Sequence, residues 1–196
     1  MSNLFQQLEI EAFRAGITPR TKQSINWFRK RAEQLTGINR NTLMKEEPLT
    51  QGNQFVPGAM AMYMYDPKHK KTLPYYDTFP LTVIIGPAPG GFYGLNLHYL
   101  PTTLRAKLLD GLMDNMTNKK YDETTTFKLN YEMLQKSSKL KYFKPCYKHY
   151  LTNHVKSRFS FVSAPEFEIA TFLPTANFKK AGQASVWKDS RRMINN

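Results

Sequence analysis

Cysteine is almost missing from this chain. Cys146 stands alone among 196 residues, so no disulfide can close within the sequence, which fits a reducing compartment. Long apolar runs are missing too: none approaches the roughly 18 residues that a membrane-spanning helix needs. The first residues, MSNLFQQLEIEAF, carry acids where a secretory signal carries basic groups. Acidic residues are scarce overall, 15 against 28 Lys and Arg, and they are scattered. A metal-dependent nuclease needs carboxylates converging on a cation, and only Asp110 and Asp114 share a helix face, which an amphipathic surface explains. No Gly-rich loop runs into Lys-Ser/Thr, and no HExxH occurs, so the usual phosphate-loop and zinc-hydrolase chemistries have no support. Gly90, Gly91 and Gly94 lie within a strand-and-turn stretch and read as turn chemistry. Cys146, His149 and His154 match no common zinc spacing and would need a fourth ligand such as His98. Nor does the cysteine have a base aimed at it by spacing alone. The expectation is a protein without catalytic residues, metal or cofactor.

What remains is a compact, strongly positive chain. At 41% hydrophobic and 13% aromatic it can bury a real core in one domain. Its formal net charge of +13 attracts polyanions at long range, nucleic acid first, acidic protein neighbours second and anionic membrane last.

The organising stretch is Phe55–Pro101. It holds three strand-like runs, Met60–Tyr65, Leu81–Ile85 and Phe92–Tyr99, separated by Pro and Gly punctuation. In the third run Tyr93, Leu95, Leu97 and Tyr99 alternate with Phe92, Gly94, Asn96 and His98, as in a half-buried strand. Short strands with tight turns point to a small barrel. The fold expected is α+β, an SH3-like β-barrel decorated with peripheral α-helices, with Asp66–Pro80 as its long first loop. Residues 1–54 read as an N-terminal helical arm and linker, and 55–196 as the barrel core with C-terminal helices. Within the arm, residues 1–17 form a short helix. A second opens on Thr18-Pro19 and stops at Gly37, with Ile25, Phe28, Ala32 and Leu35 on one face. Downstream helices are expected over Thr102–Met116, Phe127–Ser137, the stretch from Pro145 to Val155, and Lys179–Ile194. Thr117–Thr126 reads as a turn, and Glu168–Leu173 as a strand or a buried helical turn.

The basic residues fall into patches. Lys136 to Arg158 contains seven Lys or Arg and no acid, interleaved with Tyr142, Phe143, Tyr147 and Tyr150. Lysines there neutralise phosphates, and aromatic rings either stack on bases or bury in the core. The patch contributes Lys139, Lys141, Lys144, Lys148, Lys156 and Arg158 as candidate nucleic-acid contacts. Lys68, Lys70 and Lys71 tip a loop, and Arg29, Lys30 and Arg31 give the second helix a basic face. Lys179, Lys180, Lys188, Arg191 and Arg192 form a third patch near the C-terminus. Binding through such groups reads backbone and shape, with steep salt dependence.

Four segments carry a resemblance: MYMYDPKHKKTLPYYDTFPL, GGFYGLNLHYLPTTLRAKLLDGL, FKPCYKHYLTNHVKSRF and VWKDSRRMI. Over roughly residues 55–194 the chain resembles virion structural proteins of T-even-type tailed bacteriophages, of the kind labelled DNA end protector. The resemblance implies a protein added to the filled head near the portal. It would bind the double-stranded DNA end of the packaged genome and shield it from host exonuclease. It implies virion localisation, host cytoplasm during assembly, no membrane association, and contacts with portal, neck or tail subunits, with a homo-oligomer as one arrangement. The alternative is a neck, tail or baseplate adaptor that works through protein contacts only.

Overall fold

The computed structural model describes residues 3–46, 49–116 and 141–196. The helix expected over Phe127–Ser137, the turn at Thr117–Thr126 and the candidate Lys139 lie outside these residues.

The N-terminal helices form because their caps and apolar spacing agree. In α1 (Leu4–Arg14) the Asn3 side chain accepts from the Gln6 N–H, and Phe5, Leu8 and Ala12 are buried on one face. The Glu46 carboxylate reaches back to accept from the N–H groups of Leu4 and Phe5 at 3.2 and 3.3 Å, so a negative charge meets the helix N-terminus. The helix α2 (Lys22–Ala32) opens on Thr21, not Thr18. Thr21 and Ser24 satisfy each other's backbone in a capping box, a feature worth about 1 kcal/mol. Arg20, at φ 60°, turns the chain just before it, which is why Thr18-Pro19 does not start the helix. The short α3 (Arg40–Leu43) is capped by Asn39 and leads into β1 (Leu49–Gly52).

Six antiparallel strands make the main sheet, in the order β1, β7 (Phe159–Val162), β2 (Met60–Met62), β4 (Leu81–Ala88), β5 (Gly91–Asn96) and β6 (Tyr147–Leu151). A two-stranded ribbon pairs β3 (Tyr76–Asp77) with β8 (Phe178–Lys179). The sheet is open, with β1 and β6 as its two edges among the described residues, so the expected SH3-like barrel does not close; the broader α+β class holds. The physical reason lies in the central strands, which are buried on both faces. Met60, Met62, Val83, Ile85, Leu95 and Val162 join a helix-covered core. Ala61, Tyr63, Ile84, Phe92, Tyr150 and Phe159 build a second, aromatic core. The second core is built by the sheet's own strands and the flanking Phe55, Tyr65 and Val155, so the sheet buries both faces while β1 and β6 stay unpaired with each other. Phe92–Tyr99 is buried apart from the partly exposed Tyr93, and it ends in a short 3₁₀ turn at Leu97–Tyr99.

The helix expected from Pro145 to Val155 is instead the edge strand β6, registered against β5 with Tyr150 opposite Phe92. Gly91 permits this approach, because a Cβ there would run into the Tyr150 carbonyl. The helical layer packs α2 against α4 (Thr102–Met116) and α5 (Phe167–Phe172), with α1 on the outside of α2. The terminal α6 (Gln183–Asn195) starts later than Lys179, after β8 and a Gly182 cap.

Candidate nucleic-acid interface

The loop after β2 is held by its own turns: the Thr72 and Leu73 N–H groups both donate to the His69 carbonyl at 3.0 Å. Lys70 reaches Asp66 at 2.8 Å, and Lys68 and Lys71 project into solvent. Two other segments close on it. The Asp66 N–H donates to the His154 carbonyl, and the Lys156 N–H donates to the Met64 carbonyl at 2.8 Å, which brings Lys156 and then Arg158 alongside. From the other side β8 pairs with β3, and the Lys180 ammonium donates to the carbonyls of Lys71 and Leu73 at 2.9 and 2.8 Å. Lys68, Lys70, Lys71, Lys156, Arg158 and Lys179 are thus gathered, all exposed, at one end of the molecule, with Lys180 pinning the loop. Chain order separates these residues widely; the β3–β8 ribbon, the Tyr65–Val155 bridge and the bonds just described unite them.

The other candidates are placed differently. Lys141 and Lys144 are exposed beside α6, which carries Lys188, Arg191 and Arg192. Strand β6, about 13 Å long at 3.3 Å per residue, separates them from Lys156. Lys148 is half-buried, its ammonium 3.9 Å from the centre of the Tyr99 ring, and burial pulls its pKa down to about 8. On α2, Arg31 grips both oxygens of Glu11 at 2.6 and 3.2 Å, and Arg29 meets Glu33 at 3.4 Å. Glu11 is held below the usual carboxylate range by its hydrogen bond from Arg31. Lys30 points to solvent.

Beneath the lysine end lies a buried polar network that sequence reading did not single out. Asp77, on β3, accepts from His98 Nδ1 at 2.6 Å, from Asn96 Nδ2 at 3.2 Å, and from the N–H groups of Phe79 and Asn177 at 2.9 and 3.1 Å. His98 Nε2 meets the Thr175 hydroxyl at 3.0 Å. Burial opposes charge on Asp77, but His98 and the two backbone donors outweigh it and hold the carboxyl below its ordinary range. Burial, with Arg105 nearby, likewise pulls His98 down, so it is neutral. Arg105 is 3% exposed and donates to the carbonyls of Leu100, Thr171 and His98. Its pKa, lowered by burial to about 10, leaves it cationic at neutral pH, and it balances the Asp77 charge. The Asp–His–Thr alignment resembles a hydrolytic relay. His98 and Thr175 are both 0% exposed, however, so here it orients β3, the turn after β5 and the 173–177 loop. The signal available in sequence was an Asp and a His on otherwise apolar runs. Of the three residues considered for zinc, His149 bonds the Pro89 carbonyl, His154 the Asp66 carbonyl, and Cys146 the Phe143 carbonyl.

Fold and site together define a basic α+β protein with a rigidly braced, lysine-rich end. Residues 4–191 match the phage T4 terminal DNA protecting protein family, and the chain belongs to it. The match reaches back through α1 and α2, beyond the segments that carried the resemblance. The family's description, protection of terminal DNA, agrees with a virion protein guarding genome ends. No curated protein and no solved structure matches. Among the described residues no helix is long and apolar enough to cross a membrane.

Proposed function

We propose that the protein seats the end of the packaged duplex on its lysine-rich end, near the portal of the filled head, and shields it from exonuclease without catalysing any reaction. The observation that carries this reading is the convergence of Lys68, Lys70, Lys71, Lys156, Arg158 and Lys179 from three distant segments onto one braced surface. Lys141, Lys144 and the α6 cations extend the field to a second side, while Arg29 and Arg31 of α2 mainly serve the helical layer. Residues 1–54 act as a helical arm and linker whose β1 joins the sheet of the 55–196 core. Assembly takes place in the host cytoplasm before the protein joins the virion.

The test is a salt series on a linear duplex. Six phosphate contacts give a log–log slope of about −5, and affinity falls on the order of a thousandfold between 50 and 200 mM salt. A flat dependence would sink the reading. Incubation of DNA with the protein and magnesium, scored for nicks, is expected to leave the duplex intact.

A neck, tail or baseplate adaptor working through protein contacts is the second reading. It is favoured by α1, whose Phe13 is 84% exposed beside an apolar groove that includes Ile17, Phe28 and Ile169. Portal or neck subunits, or another copy of this chain, are the partners that this surface would serve. An adaptor of this kind would leave DNA unbound at about 0.15 M salt, where exposed charges are largely screened.

A further inference from the structure

A protein that protects ends must distinguish an end from the interior of the same duplex, and lysines on phosphates cannot do so. A terminal nucleotide differs in one physical respect: it is stacked on one side only, so it leaves the helix more easily than an interior one. A cavity that accepts it would supply the discrimination.

One cavity of about 310 Å³ meets this need, at the low end of the range for small-molecule sites. Its lining includes Trp187 and Phe172, with Thr102, Gln183 and Glu33 as polar residues, and the buried Arg105. Arg105 offers five N–H donors, and among the described residues the Leu100, Thr171 and His98 carbonyls take three, leaving two for a ligand. Its guanidinium carbon lies 5.5 Å from the Trp187 ring centre, so cation and aromatic wall are neighbours. Trp187 is itself fixed by its Nε1–H donating to the His98 carbonyl at 2.9 Å. The Glu33 carboxylate is mostly exposed and meets Arg29 at 3.4 Å, which tempers its repulsion of a phosphate.

The cavity also adjoins the lysine-rich end. Two of its lining residues flank the lysine pair: Ala176 is three positions before Lys179, and Gln183 three positions after Lys180. At no more than about 3.6 Å per residue, those lysines lie within roughly 11 Å of the lining. That span corresponds to about three base steps of 3.4 Å along one strand.

The geometry points to a terminal-nucleotide pocket. The last nucleotide of one strand enters the cavity, its base against Trp187 and Phe172 and its phosphate on the free donors of Arg105, while the following phosphates run along Lys179 and the 68–71 loop. This assignment rests on the genome-end reading and deepens it, since it names the feature of the end that is read.

The test compares a 30-base-pair duplex with open ends against the same duplex closed at both ends by hairpin loops. Wild-type protein is expected to prefer the open form about tenfold or more. Ala176→Phe, which fills the cavity, and Gln183→Ala are expected to erase that preference while leaving affinity for the closed duplex within twofold. Thermal melting checks that each variant folds. Independently of any variant, a terminal 2-aminopurine in wild-type complexes should change its emission through Trp187, and an internal one should not. If the wild type binds both duplexes equally, or if both variants keep the preference, the pocket is overturned and the lysine surface stands. If the wild type binds neither duplex, the genome-end reading falls and the pocket with it.

Discussion

The basic face of α2 and the lysine loop after β2 look alike as sequence, three cations in close succession with few acids nearby. Folded, they differ in what their charges do. On α2, Arg31 is spent on Glu11 and ties α1 to α2, while Arg29 answers Glu33. In the loop Lys70 is paired with Asp66, while Lys68 and Lys71 face water with no ion pair among the described residues, beside Lys156 and Lys179 from elsewhere in the chain. Whether a positive run is available to a polyanion depends on where the acids land, and long-range packing decides that.

The largest effect is expected from removing the brace under the loop. Asp77→Ala strips the acceptor from His98, Asn96 and two backbone N–H groups. At about 1–3 kcal/mol for each buried donor left unpaired, it should cost several kcal/mol in denaturant unfolding. The same network sets the response to acid. His98 has a folded pKa below its ordinary 6.5, so the unfolded chain takes up a proton first, and stability should fall as pH drops below that value. Asp77, held below 3.8, adds a second loss as pH falls further. A melting temperature that rose between pH 7 and pH 5 would contradict this.

Charge replacement tests the comparison itself. Lys68, Lys70, Lys71 and Lys156 changed together to Gln should reduce duplex affinity on the order of a hundredfold at 0.15 M salt and flatten the salt slope by about 3–4. The matching change of Arg29, Lys30 and Arg31 should cost less than about threefold. Equal losses, read by fluorescence anisotropy, would erase the distinction between the two regions. In stability the order reverses. Arg31→Ala should lose up to about 1 kcal/mol through the Glu11 contact, the range of partly exposed ion pairs, while Lys68→Ala should lose nothing measurable. The smallest effect belongs to Lys148. Its ammonium is occupied by the Tyr99 ring, so Lys148→Gln should change DNA affinity less than about twofold.

Much of this architecture could be read from local pattern. The helices α1 and α4 and the strands β2, β4 and β5 follow from spacing and punctuation. Failures came where two patterns coincide or where the partner is remote. Tyr147, Tyr150 and Leu151 satisfy helical spacing, yet pairing with β5 makes that segment a strand. Thr18-Pro19 has the grammar of a helix start, but the reciprocal Thr21–Ser24 bonds lie three residues on. The apolar and aromatic residues of Met60–Tyr65 signalled burial on both faces, but whether the edge strands β1 and β6 would meet to close a barrel is a remote pairing that no local pattern contains. For the site, the cations themselves were legible. Which of them are neutralised was not, because Glu11 with Arg31, or Lys180 with the Lys71 carbonyl, are contacts that no local pattern contains.

Strand β7 sits between β1 and β2, so Met60 finds Val162 as its neighbour roughly a hundred residues further along the chain, a pairing of high contact order. During synthesis, therefore, the outer edge of β2 waits unpaired until about five-sixths of the chain has been made, and β1 waits with it. Such open edges invite association with other chains. Folding of this protein should be slow and dependent on its C-terminal segment, and a truncation before residue 159 should yield aggregate in place of a smaller working domain.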